Sequence, residues 1–276
     1  MSDVLLTYGW VRSSYSALRN LSKNDISVTV SDSNDLGMCQ FSRLSSGFEK
    51  YTSHYQDEDK FVSDILKICF DQKIKLIFPS HNETEIIARH RDKFDSSLVA
   101  LIPDEAQCRI FNNKSDSYDL AANLGVPVAE RIHYSDPGKI TEILNDAGLV
   151  KTVIKLLTGN SGKGVFYGDN PRHTQSIVET LIDQYGLDES RFPQVERYVE
   201  GDGYGCSVLY WRGEHIAQFT HKRLRDKIET GGTSTFREAS VHKGIENATK
   251  KIFDAVGWNG LAMCEFKVCP KTGQFW

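Results

Sequence analysis

Residues 153–168 read Val-Ile-Lys-Leu-Leu-Thr-Gly-Asn-Ser-Gly-Lys-Gly-Val-Phe-Tyr-Gly. Two apolar runs flank a loop that contains Gly159, Gly162 and Gly164, and Lys155 lies in the first run. Glycine lets backbone N–H groups approach an anion closely, because it has no Cβ and tolerates positive φ. Lysine adds a mobile positive charge for a phosphate oxygen. The stretch therefore predicts two strands joined by a phosphate-binding loop, which indicates a nucleotide-binding protein.

Two familiar phosphate loops do not fit this stretch. A Walker loop has Gly-x-x-x-x-Gly-Lys-Ser/Thr before a helix, whereas Gly164 is followed by Val-Phe-Tyr. The dinucleotide fingerprint has Gly-x-Gly-x-x-Gly between a strand and a helix, whereas this order is Gly-x-x-Gly-x-Gly between two strands. An ordinary flexible hairpin loop stays open as an alternative when the stretch is taken alone.

Composition narrows the class of protein. The chain has 276 residues, which predicts about two domains with a sizeable core. A net charge of −4 offers no argument for binding nucleic acid. No apolar run approaches about 18 residues, and the N-terminal Met-Ser-Asp-Val-Leu-Leu lacks a basic region, so neither a membrane span nor a signal peptide is expected. We therefore expect a cytoplasmic protein.

The cysteines are scattered and contain no Cys-x-x-Cys pair. Most lie within apolar runs, which predicts buried free thiols in a reducing compartment rather than metal ligands. The six residues are Cys39, Cys69, Cys108, Cys206, Cys264 and Cys269.

In the first part of the chain, strands alternate with helices. The predicted strands are 3–8, 26–32 and 74–80, with a fourth at 98–103, and the predicted helices are 13–23, 58–72 and 83–94. This alternation indicates an α/β fold with a parallel, doubly wound sheet over residues 1–105. Ligands of such sheets bind at the carboxyl ends of the strands, where Gly9, Arg12, Asp32 and His81 are expected. Turn or capping roles explain these residues at least as well.

The second part predicts a more antiparallel region that contains the 149–168 hairpin. The other predicted elements are helices at 112–124, 173–185 and 244–256, strands at 193–199 and 259–268, and a hairpin over 204–211 and 214–221. Residues 225–240 contain Gly231-Gly232-Thr233-Ser234-Thr235 and are the best candidate for a mobile loop.

Four positions that carry chemistry follow one another along this part of the chain. Lys114 begins the 112–124 helix, Lys155 precedes the glycine-rich loop, and Glu196-Arg197-Tyr198-Val199 runs into Glu200-Gly201-Asp202-Gly203. Glu265 interrupts an otherwise apolar strand. A carboxylate buried there must be paired or metal-bound, although strand alternation also allows Glu265 to be exposed.

The order and spacing of these positions resemble the ATP-grasp superfamily, most closely its carboxylate–amine ligases and more distantly biotin carboxylase. The segments that carry the resemblance are residues 12–14, 113–121, 201–209, 230–235 and 257–267. The resemblance implies a Rossmann-like N-terminal domain at residues 1–110, followed by a two-lobed ATP-grasp domain at 111–276. The small lobe would span about 128–198 and the large lobe 199–276, with the large lobe incomplete.

The resemblance also implies roles for individual residues. Lys114 and Lys155 match the two lysines that hold the nucleotide phosphates. The flap over those phosphates matches Gly159, Ser161, Gly162 and Gly164. Adenine would be bound by backbone groups near Arg197 and Val199, because its edge needs one donor and one acceptor in an apolar slot. Glu196 or Asp202 would hold the adenine amine or the ribose.

The remaining implied roles concern the reacting groups. Arg223, and more weakly Arg225, match a catalytic cation that faces the γ-phosphate or an acyl phosphate. Glu265 matches a magnesium carboxylate, since magnesium prefers hard oxygen ligands and bridges substrate phosphates; manganese is an alternative. Relatives carry a second metal carboxylate and an asparagine a few residues further on, so the chain is expected to be truncated after Trp276. Many relatives have Gln-Glu where Glu196-Arg197 stands, which leaves the acid near adenine open.

The implied reaction is an ATP-dependent ligation. A substrate carboxylate attacks the γ-phosphate to form an acyl phosphate, and an amine or a similar nucleophile then displaces phosphate. The expected partners are small-molecule carboxylates and amines, with neither nucleic acid nor membrane, and a homodimer is an open alternative. Two other functions also stay open: a non-catalytic or degenerate ATP-binding protein, and a carboxylase similar to biotin carboxylase.

Overall fold

The N-terminal part of the chain builds a parallel sheet. A computed structural model describes residues 2–159, 162, 164–228 and 231–276, and the side chain of residue 228 is not described. Its first four strands are β1 (Val4–Leu6), β2 (Val28–Asp32), β3 (Gly47–Lys50) and β4 (Leu76–Phe78), in the order β3-β2-β1-β4. All three pairings are parallel. The predicted α/β fold with a parallel N-terminal sheet is confirmed.

Helices connect and cover these strands. They are α1 (Arg12–Lys23), α2 (Glu58–Gln72), α3 (Glu83–Arg89) and α4 (Glu105–Asn112). Helix α2 begins where the Asp57 side chain accepts a hydrogen bond from the Lys60 N–H at 2.8 Å. Its apolar residues Phe61 and Ile65 are four apart and pack with Ile77 of β4 in one buried cluster. Burial of this helical stripe against the sheet holds the N-terminal layers together.

One predicted strand of this region is wrong, and one real strand was not predicted. Residues 98–101 form turns and residues 102 and 103 are irregular, and Arg91 donates to the carbonyl oxygens of Val99 at 3.1 Å and Ile102 at 2.7 Å. Their apolar character serves burial, because both side chains are about 1% exposed. Strand β3 was not predicted because its sequence, Gly-Phe-Glu-Lys, lacks the apolar alternation of a typical strand. The strand lies at the edge of the sheet, where little of it needs to be buried.

The chain then forms a small antiparallel sheet. Its strands are β5 (Arg131–Ile132), β6 (Thr152–Lys155), β7 (Val165–Gly168) and β8 (Gln194–Arg197), in the order β5-β8-β6-β7. Helices α5 (Lys114–Asn123), α6 (Ile140–Asp146) and α7 (Pro171–Tyr185) belong to the same stretch of sequence. The predicted hairpin is β6 and β7, in which Lys155 is the register partner of Val165. Helix α6 was not predicted.

A third sheet contains the remaining strands. These are β9 (Asp202–Trp211), β10 (Glu214–Ile228), β11 (Gly231–Ala239) and β12 (Gly260–Val268), in the order β11-β10-β9-β12. Helix α8 (Lys243–Ala255) contributes Ile245 and Ile252 to a buried cluster with Cys206 and Phe266. The segment 225–240 is not a loop, because Asp226 pairs with Ser234 and Arg223 with Arg237 across antiparallel strands that contain register shifts. Residues 229 and 230 lie outside the described residues.

The chain divides into two compact units. The first comprises Met1–Cys108, Leu209–Ile216 and Gly257–Leu261, and the second comprises Arg109–Val208, Ala217–Val256 and Ala262–Trp276. No helix within the described ranges is long and apolar enough to cross a bilayer. All six cysteines are free, and the prediction that they are buried is right for four. It is wrong for Cys264 and Cys269, which are partly exposed.

Candidate functional site

Lys155 lies at the centre of a three-way hydrogen-bonded cluster in the second unit. Its ammonium Nζ donates to Glu196 Oε2 at 2.8 Å and to the Tyr118 hydroxyl at 2.7 Å. The Tyr118 hydroxyl in turn donates to Glu196 Oε2 at 3.0 Å. Strands β6 and β8 place Lys155 opposite Gln194, two residues from Glu196, so the two charged side chains share one face of the sheet. Strand register and helix α5 together build the cluster.

The cluster keeps a positive charge in a buried place. Glu196 is only 2% exposed, and its second oxygen accepts from Gln194 Nε2 at 2.7 Å. Burial by itself lowers the pKa of Lys155, but Tyr118 and Glu196 outweigh it and raise that pKa above its ordinary value. Lys155 is therefore an ammonium at neutral pH, neutralised by one carboxylate.

Lys114 lies beside this cluster at the first residue of helix α5. The Asn113 side chain caps the helix by accepting from the Ser115 N–H at 2.9 Å. Lys114 Nζ donates to the carbonyl oxygen of Gly159 at 3.1 Å. Burial lowers the pKa of Lys114, and the nearby charge of Lys155 lowers it further. The structure thus brings Lys114 to the first glycine of the loop, close enough to Lys155 for the two charges to interact.

The glycine-rich loop uses backbone conformations that other residues rarely adopt. Gly159, Gly162 and Gly164 have φ values of 114°, 77° and 80°. A Cβ on Gly162 would lie 2.9 Å from the Cα of Gly232, so the loop backbone is in close contact with the start of strand β11. Ser161 lies outside the described residues, as do residues 160 and 163. The loop therefore joins the small antiparallel sheet to the β10–β11 hairpin.

A second cluster of charged side chains, formed by Arg223, Asp226 and Glu265, lies next to this contact. Arg223 of strand β10 forms an ion pair with Glu265 of strand β12 through Nη2. Its Nη1 donates to the carbonyl oxygen of Gly232 at 3.2 Å and lies 3.8 Å from Asp226 Oδ1. Glu265 is 54% exposed, so the alternative of an exposed carboxylate on this strand is the right one. Arg223 Nε and Asp226 Oδ1 are buried and have no hydrogen-bond partner among the residues that the structure describes, which leaves polar capacity for a ligand at this place.

Comparison with known proteins finds ligases among the chain's relatives. No family model matches the chain. A "Probable alpha-L-glutamate ligase" of Marinomonas sp. is 27% identical over 190 residues, covering 67% of this chain and 53% of the relative. Cyanophycin synthetase of Synechocystis sp. is 33% identical over 143 residues, covering 52% of this chain and 15% of that protein. The chain spans about half or less of the length of these curated relatives.

Solved structures share the fold over the whole chain. Biotin carboxylase of Campylobacter jejuni has a TM-score of 0.76 at 13% identity, covering 100% of this chain and 64% of that one. N5-carboxyaminoimidazole synthetase of Staphylococcus aureus, complexed with ADP, has a TM-score of 0.64 at 13% identity, covering 100% of this chain and 68% of that one. The chain resembles proteins of the ATP-grasp superfamily, as its sequence predicted. Its predicted resemblance to the carboxylate–amine ligases of that superfamily is confirmed.

Other predicted residues make contacts outside the two clusters. The exposed Arg197 pairs with Glu130 Oε2 at 2.7 Å, and Asp202 pairs with Lys222 at 2.7 Å. Arg225 is exposed and donates to Thr235 Oγ1 at 3.4 Å. Val199 is half-buried just after strand β8. Among the ranges that the structure describes, no group of three His, Cys, Asp or Glu side chains is arranged for a metal ion.

Two of the residues predicted at the carboxyl ends of the N-terminal strands, Gly9 and Asp32, have structural roles. Asp32 accepts from the Trp10 N–H and the Asn34 N–H, each at 2.8 Å, and so holds two loops. A Cβ on Gly9 would lie 2.4 Å from Val30 Cγ1, so close packing requires glycine there.

Sequence reasoning missed two residues of the Lys155 cluster, Tyr118 and Gln194. Tyr118 follows Lys114 by four residues, a spacing that places both on one face of a helix and could have revealed it. Gln194 precedes Glu196 by two residues on the same strand, so alternation alone places the two side chains together.

Proposed function

We propose that the ATP-grasp region at residues 111–276 supports an ATP-dependent ligase that joins a carboxylate to an amine through an acyl phosphate, with release of ADP and phosphate. The observation that carries the proposal is a pair of contacts on the glycine loop. Lys114, beside the Lys155 cluster, contacts Gly159, and Gly162 contacts Gly232, which accepts a hydrogen bond from Arg223, the ion-pair partner of Glu265. These contacts bring cations, a glycine-rich loop and a carboxylate together in one unit. The relatives are named as a ligase and a synthetase, which favours the same activity for this chain.

The residues fit a nucleotide triphosphate. Lys114 and Lys155 are cations of low exposure. Phosphate oxygens would take the place of the Gly159 carbonyl at Lys114 and would accept from the remaining ammonium hydrogen of Lys155, which keeps Glu196 as its partner. The backbone N–H groups of the glycine loop would add donors. The unused Arg223 Nε is a further donor beside the loop contact. Adenine is proposed to lie at the segment from Glu196 to Val199, with Asp202 as a further candidate for the ribose.

The residues also fit a magnesium ion, on condition that an ion pair opens. Glu265 supplies a half-exposed carboxylate of the hard type that magnesium prefers, although Arg223 holds it in this structure. Magnesium, when bound with the nucleotide, would neutralise phosphate charge. Phosphate oxygens would draw the Arg223 guanidinium away and free Glu265 for the metal. Arg225 stays a weaker candidate for the same catalytic role as Arg223.

In the proposed reaction, a carboxylate oxygen attacks the γ-phosphorus and the bond to the β-phosphate oxygen breaks, which yields ADP. The amine nitrogen then attacks the acyl carbon, phosphate leaves and the nitrogen loses a proton. Arg223 would hold the transferred phosphoryl group, and the glycine loop would exclude water that could hydrolyse the acyl phosphate.

The test is a product assay with the full chain, ATP, Mg²⁺, L-glutamate as the first acid and a panel of amines. We expect ADP and inorganic phosphate to appear only when both an acid and an amine are present. Formation of AMP and pyrophosphate would reject the acyl-phosphate route. Tight ATP binding without turnover, in this chain and in a version extended at its C-terminus, would favour a non-catalytic nucleotide-binding protein.

Gly162→Ala should weaken nucleotide binding by about tenfold, because a left-handed backbone costs a non-glycine residue about 1–2 kcal/mol. The added methyl group would also press on Gly232. Calorimetric titration with ATP and Mg²⁺ measures the effect. Gly186→Ala is the matched control, since Gly186 has φ 57° but no atom within 4 Å of a built Cβ. Equal ATP affinity in the wild-type protein and Gly162→Ala would show that the loop does not close over the nucleotide.

A further inference from the structure

Strands β10 and β11 place two arginines directly opposite each other. Arg223 and Arg237 are register partners of an antiparallel pair, so their side chains leave the sheet on the same face. Like charges in this position destabilise a sheet. Arg223 is compensated by Glu265 and Asp226. Arg237 is exposed and forms no ion pair with any residue that the structure describes. One positive charge on this face therefore has no described counterion.

A histidine completes the same face. His221 precedes Arg223 by two residues and is 1% exposed, and neither ring nitrogen has a hydrogen-bond partner among the described residues. Room for the ring comes from Gly205 of strand β9, where a Cβ would lie 2.5 Å from His221 Cε1. The Phe219 ring stacks against it at 6.2 Å and is itself 54% exposed, so it can move aside.

The charges around His221 define its chemical state. Burial lowers the pKa of His221, and Arg237 and Arg223 lower it further. The charged groups that act on His221 are Arg237 on β11 and Arg223 on its own strand, and Arg223 is itself paired with Glu265 of β12. A neutral imidazole offers one donor and one acceptor, so an N–H is available to an anion that enters the face.

We propose that Arg237, with His221 beside it, binds the carboxylate of the acid substrate next to Arg223. This inference rests on the proposed function, because the carboxylate must lie close to the phosphoryl group that Arg223 is proposed to hold. A guanidinium fork matches a carboxylate through two parallel hydrogen bonds. The bound anion would also relieve the repulsion between the two arginines, which the described protein groups leave uncompensated.

The first test follows the His221 imidazole by NMR in the full chain, with L-glutamate and inorganic phosphate as probes. An anion between the arginines should raise the pKa of His221, because it screens two positive charges. Arg237→Gln should raise that pKa without any anion and remove the response to glutamate. Arg212→Gln, which changes an exposed arginine at the β9–β10 turn, should leave the response unchanged.

A further pair of titrations shows whether the anion that binds at Arg237 is the substrate carboxylate or a phosphate of the nucleotide. Each probe is repeated with a non-hydrolysable ATP analogue and Mg²⁺ at saturation. A glutamate response that persists with the analogue bound supports the carboxylate site. A response to phosphate alone, lost when the analogue binds, would assign Arg237 to the nucleotide and overturn the proposal, as would a glutamate response that survives in Arg237→Gln.

Kinetics give the second test. Arg237→Gln should raise the KM for the acid by about tenfold or more, as expected for a lost charge-assisted pair, and leave the Kd of the ATP analogue within about twofold. A wild-type protein that fails to bind ATP would reject the proposed function, whereas the His221 response to glutamate would still test the anion site. A loss of nucleotide affinity in Arg237→Gln with an unchanged KM for the acid would overturn the inference.

Discussion

Lys155→Met is expected to abolish tight ATP binding and to lower the free energy of unfolding by about 3 kcal/mol, the lower end for a broken buried ion pair. The stability loss arises because Glu196, with 3% of its side chain exposed, would keep a charge without its cation. Lys155 itself retains 21% exposure, which places the effect at the lower end of that range. The loss of affinity arises because a phosphate contact of low exposure contributes about 1.5–3 kcal/mol.

The two effects can be separated by a second substitution. Lys155→Met combined with Glu196→Gln leaves no buried charge, so stability should return towards the wild-type value while ATP affinity stays low. Urea unfolding and calorimetric titration measure the two quantities on the same samples. Tyr134→Phe is a control for the loss of a buried polar group, since its hydroxyl bonds to Pro193 O at 2.5 Å outside the cluster. An unchanged Kd for ATP in the folded double variant would remove Lys155 from the nucleotide site.

The second large effect concerns pH and the N-terminal unit. Glu83 begins helix α3, is 3% exposed, and accepts from the Tyr51 hydroxyl at 2.9 Å through Oε1. Its Oε2 is buried and has no hydrogen-bond partner in the described part of the chain. Burial raises the pKa of Glu83 from 4.5 to about 7. The folded chain thus holds this proton at pH values where the unfolded chain has released it.

The sign of the effect follows from this difference. The stabilising contribution of neutral Glu83 is fully present below pH 4.5 and is lost as the pH rises through about 7. The loss amounts to about 3 kcal/mol, at about 1.4 kcal/mol for each pK unit. Glu83→Gln should remove this pH-dependent loss of stability, because the amide carries no charge at any pH. The Tyr51 hydroxyl favours the charged form of Glu83, so Tyr51→Phe should raise the pKa of Glu83 further. The loss of stability should then continue to a higher pH than in the wild-type protein.

Denaturant unfolding at a series of pH values from 4 to 9 measures this contribution, with the signal taken from the N-terminal unit. Wild-type protein and Glu83→Gln should differ most in slope between pH 4.5 and 7. Identical slopes in the two proteins would show that Glu83 is not protonated in the folded chain. Because Gln can accept the same bond from Tyr51, the variant should keep the fold.

The local features of the site were readable from residue types and their order. Lys114 at a helix start, Lys155 before a glycine loop, and Glu265 in an apolar strand are each defined by a few neighbouring residues. The parallel sheet was likewise readable from strands that alternate with helices, because that order leaves few topologies. The segment 225–240 misled the prediction because Gly-Gly-Thr-Ser-Thr is a strong local loop signal, which pairing of β10 with β11 overrides.

By itself, then, the sequence determined which residues carry charge, which loop is predicted to bind phosphate, and that the first sheet is parallel. Only the tertiary structure decided the partners of those charges. Glu196 meets Lys155 and Tyr118 through the register of β6 with β8 and the position of helix α5. Arg237 meets Arg223 through a hairpin with register shifts. Register and packing are set by contacts between distant residues, and no short stretch of sequence contains both members of such a contact.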